Sequence, residues 1–263
     1  MCHSRQLGST TQPRRWRCAD AGFAAQCDAI LDIGPAMVSS IMGIYPCDFI
    51  EKAKSRGIQW FATVTTVTEA RRAECAGAEA IVAQGMEAGG HQGAFNAAQA
   101  EAGMVGLFSL LPAVVDAVHV PVIATGGIAD ARAVAAALIL GASAVQIGTG
   151  FLRCPEAALA PAWADAIGGS LPEQTLVIRA FSGRAGRSLA TAYAHAASAA
   201  GAPPAAPYPV QRGLTQAMRV IGSKSNDLDR MQAWAGQSGG LAQAEPAAAI
   251  ASHLWEGALS MLR

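Results

Sequence analysis

From about residue 36 onward, short runs of apolar and β-branched residues alternate with longer alanine-rich segments. The runs "PAMVSSIMG" (35–43), "QWFATVTT" (59–66), "AEAIVAQG" (78–85), "VPVIATGGI" (120–128) and "ASAVQIGTGFL" (142–152) predict strands. Their apolar residues are consecutive rather than alternate, which predicts burial on both faces. Between them, "DFIEKAKSRG" (48–57) predicts a helix capped by Asp48 and stopped at Gly57. Thr66-Val67-Thr68-Glu69 has the capping-box spacing and opens a helix that ends at Gly77. "LFSLLPAVVDAV" (107–118) predicts a helix weakened at Pro112, and "ADARAVAAALILG" (129–141) one closed by a glycine stop. Two-faced strands joined by helices imply a parallel sheet covered on both sides. The pattern fits a βα barrel and a doubly wound sheet equally well.

After residue 152 the alternation fades. "TLVIRAFSGRAGRSLATAYAHAA" is mixed, "GAPPAAPYP" is a proline-rich connector, and "QAWAGQSGG" reads as a turn within helical material. Residues 1–28 hold no strand-like run. The chain therefore divides into an irregular leader (1–28), a βα portion (29–152) and a C-terminal mixed and helical portion (153–263) that acts as a lid.

Composition narrows the function classes. Of 263 residues, 52% are hydrophobic and only 14% charged, so extensive helix-on-sheet burial and a subunit interface are expected, with a homo-oligomer as the consequence. The formal net charge is zero and no basic block is sustained, which leaves nucleic acid no electrostatic footprint. Six cysteines form no C-x-x-C pair and no cluster with histidine, so free thiols in the cytoplasm and no metal are expected. The arginine-rich start is followed by no apolar core of a secretory signal. The longest apolar stretch, 133–151, is broken by Gly141, Ser143, Gln146, Gly148 and Thr149, and reads as helix, stop and strand rather than a membrane span.

Candidate chemistry gathers at strand ends. Three successive strands finish in "AQGMEAGGH", "ATGGI" and "IGTGF". In a parallel βα sheet these ends share one rim, where ligands bind. The last two match the way βα barrels hold a phosphate, through glycine N–H groups and helix N-termini. His91, in "GMEAGGHQGAF", lies on that rim. With an ordinary pKa near ~6.5 it suits removal of a carbon-bound proton, although a loop residue with an incidental ring is the competing reading. Glu87 reads equally as a surface carboxylate. His119, His195 and His253 read as structural or exposed, and Cys154 as a packed thiol.

"AQGMEAGGHQG", "PVIATGGIADARAVAAALILGASAVQIGTGFLRCPEA", "RAFSGRAGR" and "WAGQ" together resemble the nitronate monooxygenases, formerly called 2-nitropropane dioxygenases. The likeness runs from about residue 29 to the C-terminus with order and spacing preserved. It implies a TIM-type (β/α) barrel, flavin mononucleotide as cofactor, and oxidation of nitronates or small nitro compounds by molecular oxygen to carbonyl compounds and nitrite-type products. It implies His91 as the catalytic residue. Gln84, Gly89 and Gly90 would lie beside the flavin, and Gly126, Gly127, Gln146, Gly148 and Thr149 would cradle its phosphate. Ser182 and Arg184 would face the substrate.

One departure stands out. Family members begin with roughly a hundred residues that supply three strands, including an "AP-M" type segment and an asparagine that line the flavin. Only five of eight strands can be placed here, which reads as a truncated or frame-shifted barrel behind an unrelated leader. Such an incomplete barrel implies weakened or lost flavin binding, and exposed sheet edges. Within the flavin enzymes, an enoyl-thioester reductase shares the "EAGGH" and "GGI" rims, but "FSGRxxR" and "WAGQ" favour the nitronate reading. A flavin-free phosphate-sugar lyase or isomerase would show a strand-end lysine or paired carboxylates, and none is present. A non-functional fragment is the non-enzyme alternative.

Overall fold

A computed structural model describes residues 22–263. In chain order, α1 (Phe23–Ile33), β1 (Met37–Ser40), α2 (Cys47–Ser55), β2 (Gln59–Val64), α3 (Val67–Cys75), β3 (Ala80–Gln84) and the two-residue β4 (Gly90–His91) come first. Next follow α4 (Leu107–Val115), β5 (Val122–Thr125), α5 (Ala131–Ile139), β6 (Ala144–Gln146), α6 (Pro161–Gly168), β7 (Thr175–Ile178) and β8 (Gly186–Leu189). The helices α7 (Ala192–Ser198), α8 (Val210–Leu214), α9 (Gln216–Ser225) and α10 (Ala247–Leu262) complete the chain.

The five expected strands form one parallel sheet in the order β1-β2-β3-β5-β6. β3 is its centre and is buried along its whole length, as its unbroken apolar run predicts. Among the described residues β1 and β6 are the edges. Trp60, Val64, Ile81, Leu110, Leu111 and Val114 are almost wholly sequestered between sheet and helices. The Trp60 indole N–H, which burial would otherwise strand, donates to Ser40 Oγ at 3.0 Å.

Local chemistry explains the helix ends. Thr66 caps α3 by accepting from Glu69 N at 3.2 Å. Asp130 caps α5 by accepting from Ala133 N at 2.9 Å. Asp48 does not cap α2, contrary to the sequence expectation. Pro46, extended at φ −57° and ψ 144°, precedes the first helical residue Cys47, and Asp48 falls in the first turn. There it favours the positive helix end and faces Lys52 at 3.8 Å.

The leader expectation also changes. Residues 23–28 belong to α1, whose Cys27 and Leu31 enter the main core, so an irregular assignment is wrong for them. Residues 1–21, with Cys2 and Cys18, lie outside the described residues. The C-terminal portion is more ordered than its composition suggested. β7 and β8 pair antiparallel, and β8 also pairs with β4, giving a second sheet in the order β4-β8-β7. α10 packs against α5. No helix among the described residues is long and apolar enough to cross a membrane.

Candidate active site

Every strand of the parallel sheet ends in one cleft. Ile41, Thr63, Gln84, Thr125 and Gln146 line it from β1, β2, β3, β5 and β6 or the residue just beyond, as does the loop residue Gly89. The turn Gly126-Gly127-Ile128-Ala129, with Gly148 and Thr149, forms one wall; Gly236 and Ser238 form another. Gly126 (φ 100°) and Gly127 (φ 72°) adopt left-handed backbone that side-chain-bearing residues rarely tolerate. A Cβ on Gly126 would stand 3.0 Å from the Gly85 carbonyl oxygen. At Gly148 nothing lies within 4 Å of where a Cβ would be. The lining carries hydroxyls, carboxamides and glycine backbone but no carboxylate, a donor set suited to a bound anion.

The second wall is held by two long-range hydrogen bonds. Gly236 N donates to Thr149 Oγ1 at 2.9 Å, and Ser238 Oγ donates to the Gly127 carbonyl at 2.7 Å. Gly89 is pressed against this wall: a Cβ there would approach Gly236 N to 2.5 Å. Its lack of a side chain serves protein packing as well as access to the cleft.

His91 lies two residues beyond Gly89. β4 holds its backbone opposite Gly186 of β8, and Gln92 N donates to the Ala185 carbonyl at 2.9 Å. Its Nε2 is 2.7 Å from Ser182 Oγ. The ring lies between Trp234, with centroids 5.4 Å apart, and Tyr208, at 6.2 Å and edge-on. Burial, then the Arg184 and Arg212 guanidinium groups, hold its pKa below the usual histidine value. These surroundings favour the neutral ring, in which one nitrogen carries no proton.

Buried acids and amides brace this loop. Glu69, only 8% exposed, accepts from Thr65 N and Oγ1 and from Phe95 N at 2.7–2.9 Å. The reciprocal arm of the expected capping box is thus diverted to the loop after His91. Gln84 Oε1 accepts from Gly93 N at 2.6 Å, and its Nε2 donates to the His91 carbonyl at 3.2 Å. Glu87 accepts from Leu107 N at 2.9 and 3.0 Å, so it stabilises the start of α4 rather than standing free at the surface.

The structure brings Gln84, Gly89, Gly126, Gly127, Gln146, Gly148 and Thr149 to the cleft. Gly90 does not line it; it pairs with Arg187 in the second sheet. Ser182 has no exposed surface and its hydroxyl meets His91 Nε2 instead of standing free in the cleft. Arg184 donates to the Ala94 carbonyl at 2.9 Å. Sequence reasoning missed Thr63, Tyr208, Trp234, Gly236 and Ser238 as site residues. Of these, "WAGQSGG" carried a signal, because its three glycines occur where the backbone meets the cleft (Gly236) and Ser170 (Gly239 and Gly240). Among the described residues no cluster of three or more His, Cys, Asp or Glu side chains could hold a metal ion.

The nitronate monooxygenase family model matches residues 5–257, a match that opens ahead of residue 29. A nitronate monooxygenase of Pseudomonas aeruginosa is 38% identical over 227 residues, covering 86% of this chain and 64% of that protein. A probable nitronate monooxygenase of Staphylococcus aureus is 39% identical over 233 residues, covering 88% and 65%. The chain thus spans just under two thirds of these relatives' length. Among solved structures, nitroalkane oxidase from Streptomyces ansochromogenes superposes with a TM-score of 0.83 at 36% identity, covering 91% of this chain and 70% of that one. FabK from Thermotoga maritima gives 0.74 at 29%, covering 90% and 72%. Both neighbours are TIM-barrel enzymes.

Proposed function

This chain therefore belongs to the nitronate monooxygenase family, and from that membership we propose that it oxidises alkyl nitronates or nitroalkanes with molecular oxygen, using flavin mononucleotide bound in the cleft. The observation that carries the reading is the placement of His91. An imidazole packed against Trp234 and Tyr208, whose burial favours its neutral form, stands two residues along from the cleft-lining Gly89.

The cleft fits the cofactor's anionic end. Gly126, Gly127, Gly148 and Thr149 would hold the phosphate through N–H groups and the threonine hydroxyl, with Gln146 beside them. Gln84 and Gly89 would flank the flavin itself. When bound, the flavin would supply the redox chemistry that couples oxidation of the substrate, to a carbonyl compound and an oxidised nitrogen product, to reduction of oxygen.

His91 manages charge and protons. Toward a nitroalkane, its unprotonated ring nitrogen accepts the proton from the carbon bearing the nitro group. Toward a nitronate, already deprotonated, the ring holds the anion in place, and the nearby Arg184 and Arg212 guanidinium groups favour that charge. Trp234 and Tyr208 pack against the ring.

A visible spectrum recorded while flavin mononucleotide is titrated into the chain tests the cofactor, and oxygen uptake with nitroethane and its nitronate tests the reaction. A flavin-loaded chain consuming oxygen with the nitronate is expected. Consumption of reduced nicotinamide with an enoyl thioester, and none of oxygen with nitronates, would replace this reading with the reductase alternative.

A further inference from the structure

We infer that Gln84 is a positioning residue for His91, fastening the histidine's loop to the central strand of the parallel sheet. The inference rests on the proposed role of His91 and assigns Gln84 work beyond contact with a cofactor.

Gln84 is the last residue of β3, flanked by strands on both sides and 7% exposed. Its carboxamide spans the loop. The oxygen accepts from Gly93 N at 2.6 Å, two residues after His91, and the nitrogen donates to the carbonyl of His91 itself at 3.2 Å. Gly93 lets the backbone come this close: a Cβ there would meet Gln84 Oε1 at 3.2 Å, Thr63 Cγ2 at 3.2 Å and Ile41 Cγ1 at 3.3 Å.

These bonds supply what the second sheet cannot. β8 and Ser182 hold His91 from one side, through its backbone partner Gly186 and its ring nitrogen. Gln84 ties the same residue to the other sheet. The imidazole is thereby referred to the strand that also ends in the cleft, so ring and cleft keep one geometry. A carboxamide has two donor hydrogens and two acceptor lone pairs, so one of each stays available to a ligand while the loop is held.

The test compares the full-length wild type with Gln84→Met, Gln84→Glu and Gln146→Leu. Gly93 amide hydrogen exchange and the ¹⁵N-histidine titration of His91 are followed without flavin, and flavin mononucleotide affinity is measured by fluorescence titration. In Gln84→Met, the Gly93 amide should exchange at least about tenfold faster. The His91 pKa should rise toward 6.5 whether or not flavin affinity also falls with the loss of a cleft-lining carboxamide. Gln84→Glu keeps an acceptor for Gly93 N and should keep that amide protected. Gln146→Leu, which touches no part of the loop, should weaken flavin binding and leave His91 unmoved. Unchanged Gly93 exchange and His91 titration in Gln84→Met would overturn the inference, and flavin affinity down more than about tenfold beside them would make Gln84 a cofactor ligand alone. A wild type that consumes no oxygen with nitronates removes the proposed reaction without altering these readouts.

Discussion

His91 Nε2 and Ser182 Oγ stand 2.7 Å apart although their residues are 91 positions apart in the chain. The serine is fully buried, and its oxygen also accepts from Arg184 N at 3.3 Å, so the hydroxyl is fixed before it meets the ring. Replacing Ser182 with alanine removes the ring's hydrogen-bond partner, a change of about 1 kcal/mol. Turnover with a nitronate should fall about tenfold with KM nearly unchanged, because ring orientation rather than substrate contact is lost. Steady-state oxygen uptake gives both constants.

Removing the imidazole is the stronger change. His91→Ala should lower the rate with a neutral nitroalkane by about 10²–10⁴-fold, the usual contribution of a positioned base. A preformed nitronate should lose less, since its proton is already gone. Flavin titration of the variant should give near wild-type affinity, because the cleft-lining residues are untouched.

The depressed His91 pKa fixes the direction of a pH effect. Stability tied to the neutral ring is fully present above pH 6.5, the ordinary value, and is lost as pH falls through the lower folded-state pKa. The acidic limb of kcat/KM for a nitroalkane should likewise lie below pH 6.5. Arg184→Met removes one of the two cations that oppose ring protonation and should move that limb upward. A pH–rate profile of the two proteins reads the shift.

Gly89→Ala should destabilise the fold by about 1–3 kcal/mol, because the added methyl is driven into the Gly236 backbone. Urea denaturation measures the loss. The Thr149–Gly236 hydrogen bond crosses the same contact, so flavin affinity should fall with stability.

The sequence made the parallel sheet legible because buried strands leave a plain mark. "AEAIVAQG" can be nothing but two-faced once Ala80 to Gln84 all lie inside. Gly126 and Gly127 were legible for a different reason: paired glycines after a strand signal a backbone that must turn tightly, as their positive φ angles show. β8 was hidden because Gly186-Arg187-Ser188-Leu189 reads as a polar turn, yet all four residues are buried. Arg187 tolerates burial only because the Met86 carbonyl and Thr175 Oγ1 each accept from it at 2.9 Å. Glu69 and Glu87 misled in the same way. Their partners are backbone N–H groups of Phe95 and Leu107, and no local pattern announces them. Tyr208 and Trp234 approach His91 only through tertiary folding, which spacing along the chain does not encode.

The wall made by Gly236 and Ser238 sets a timetable for the molecule. Ser238 bonds a residue 111 positions earlier, and Gly236 one 87 positions earlier. During synthesis the glycine rim leaves the ribosome on the order of ten seconds before the segment that encloses it. A nascent chain holding all five strands still lines the cleft on one side only. The second wall of the cleft is consequently a late addition, completed only once Gly236 and Ser238 have met the glycine rim.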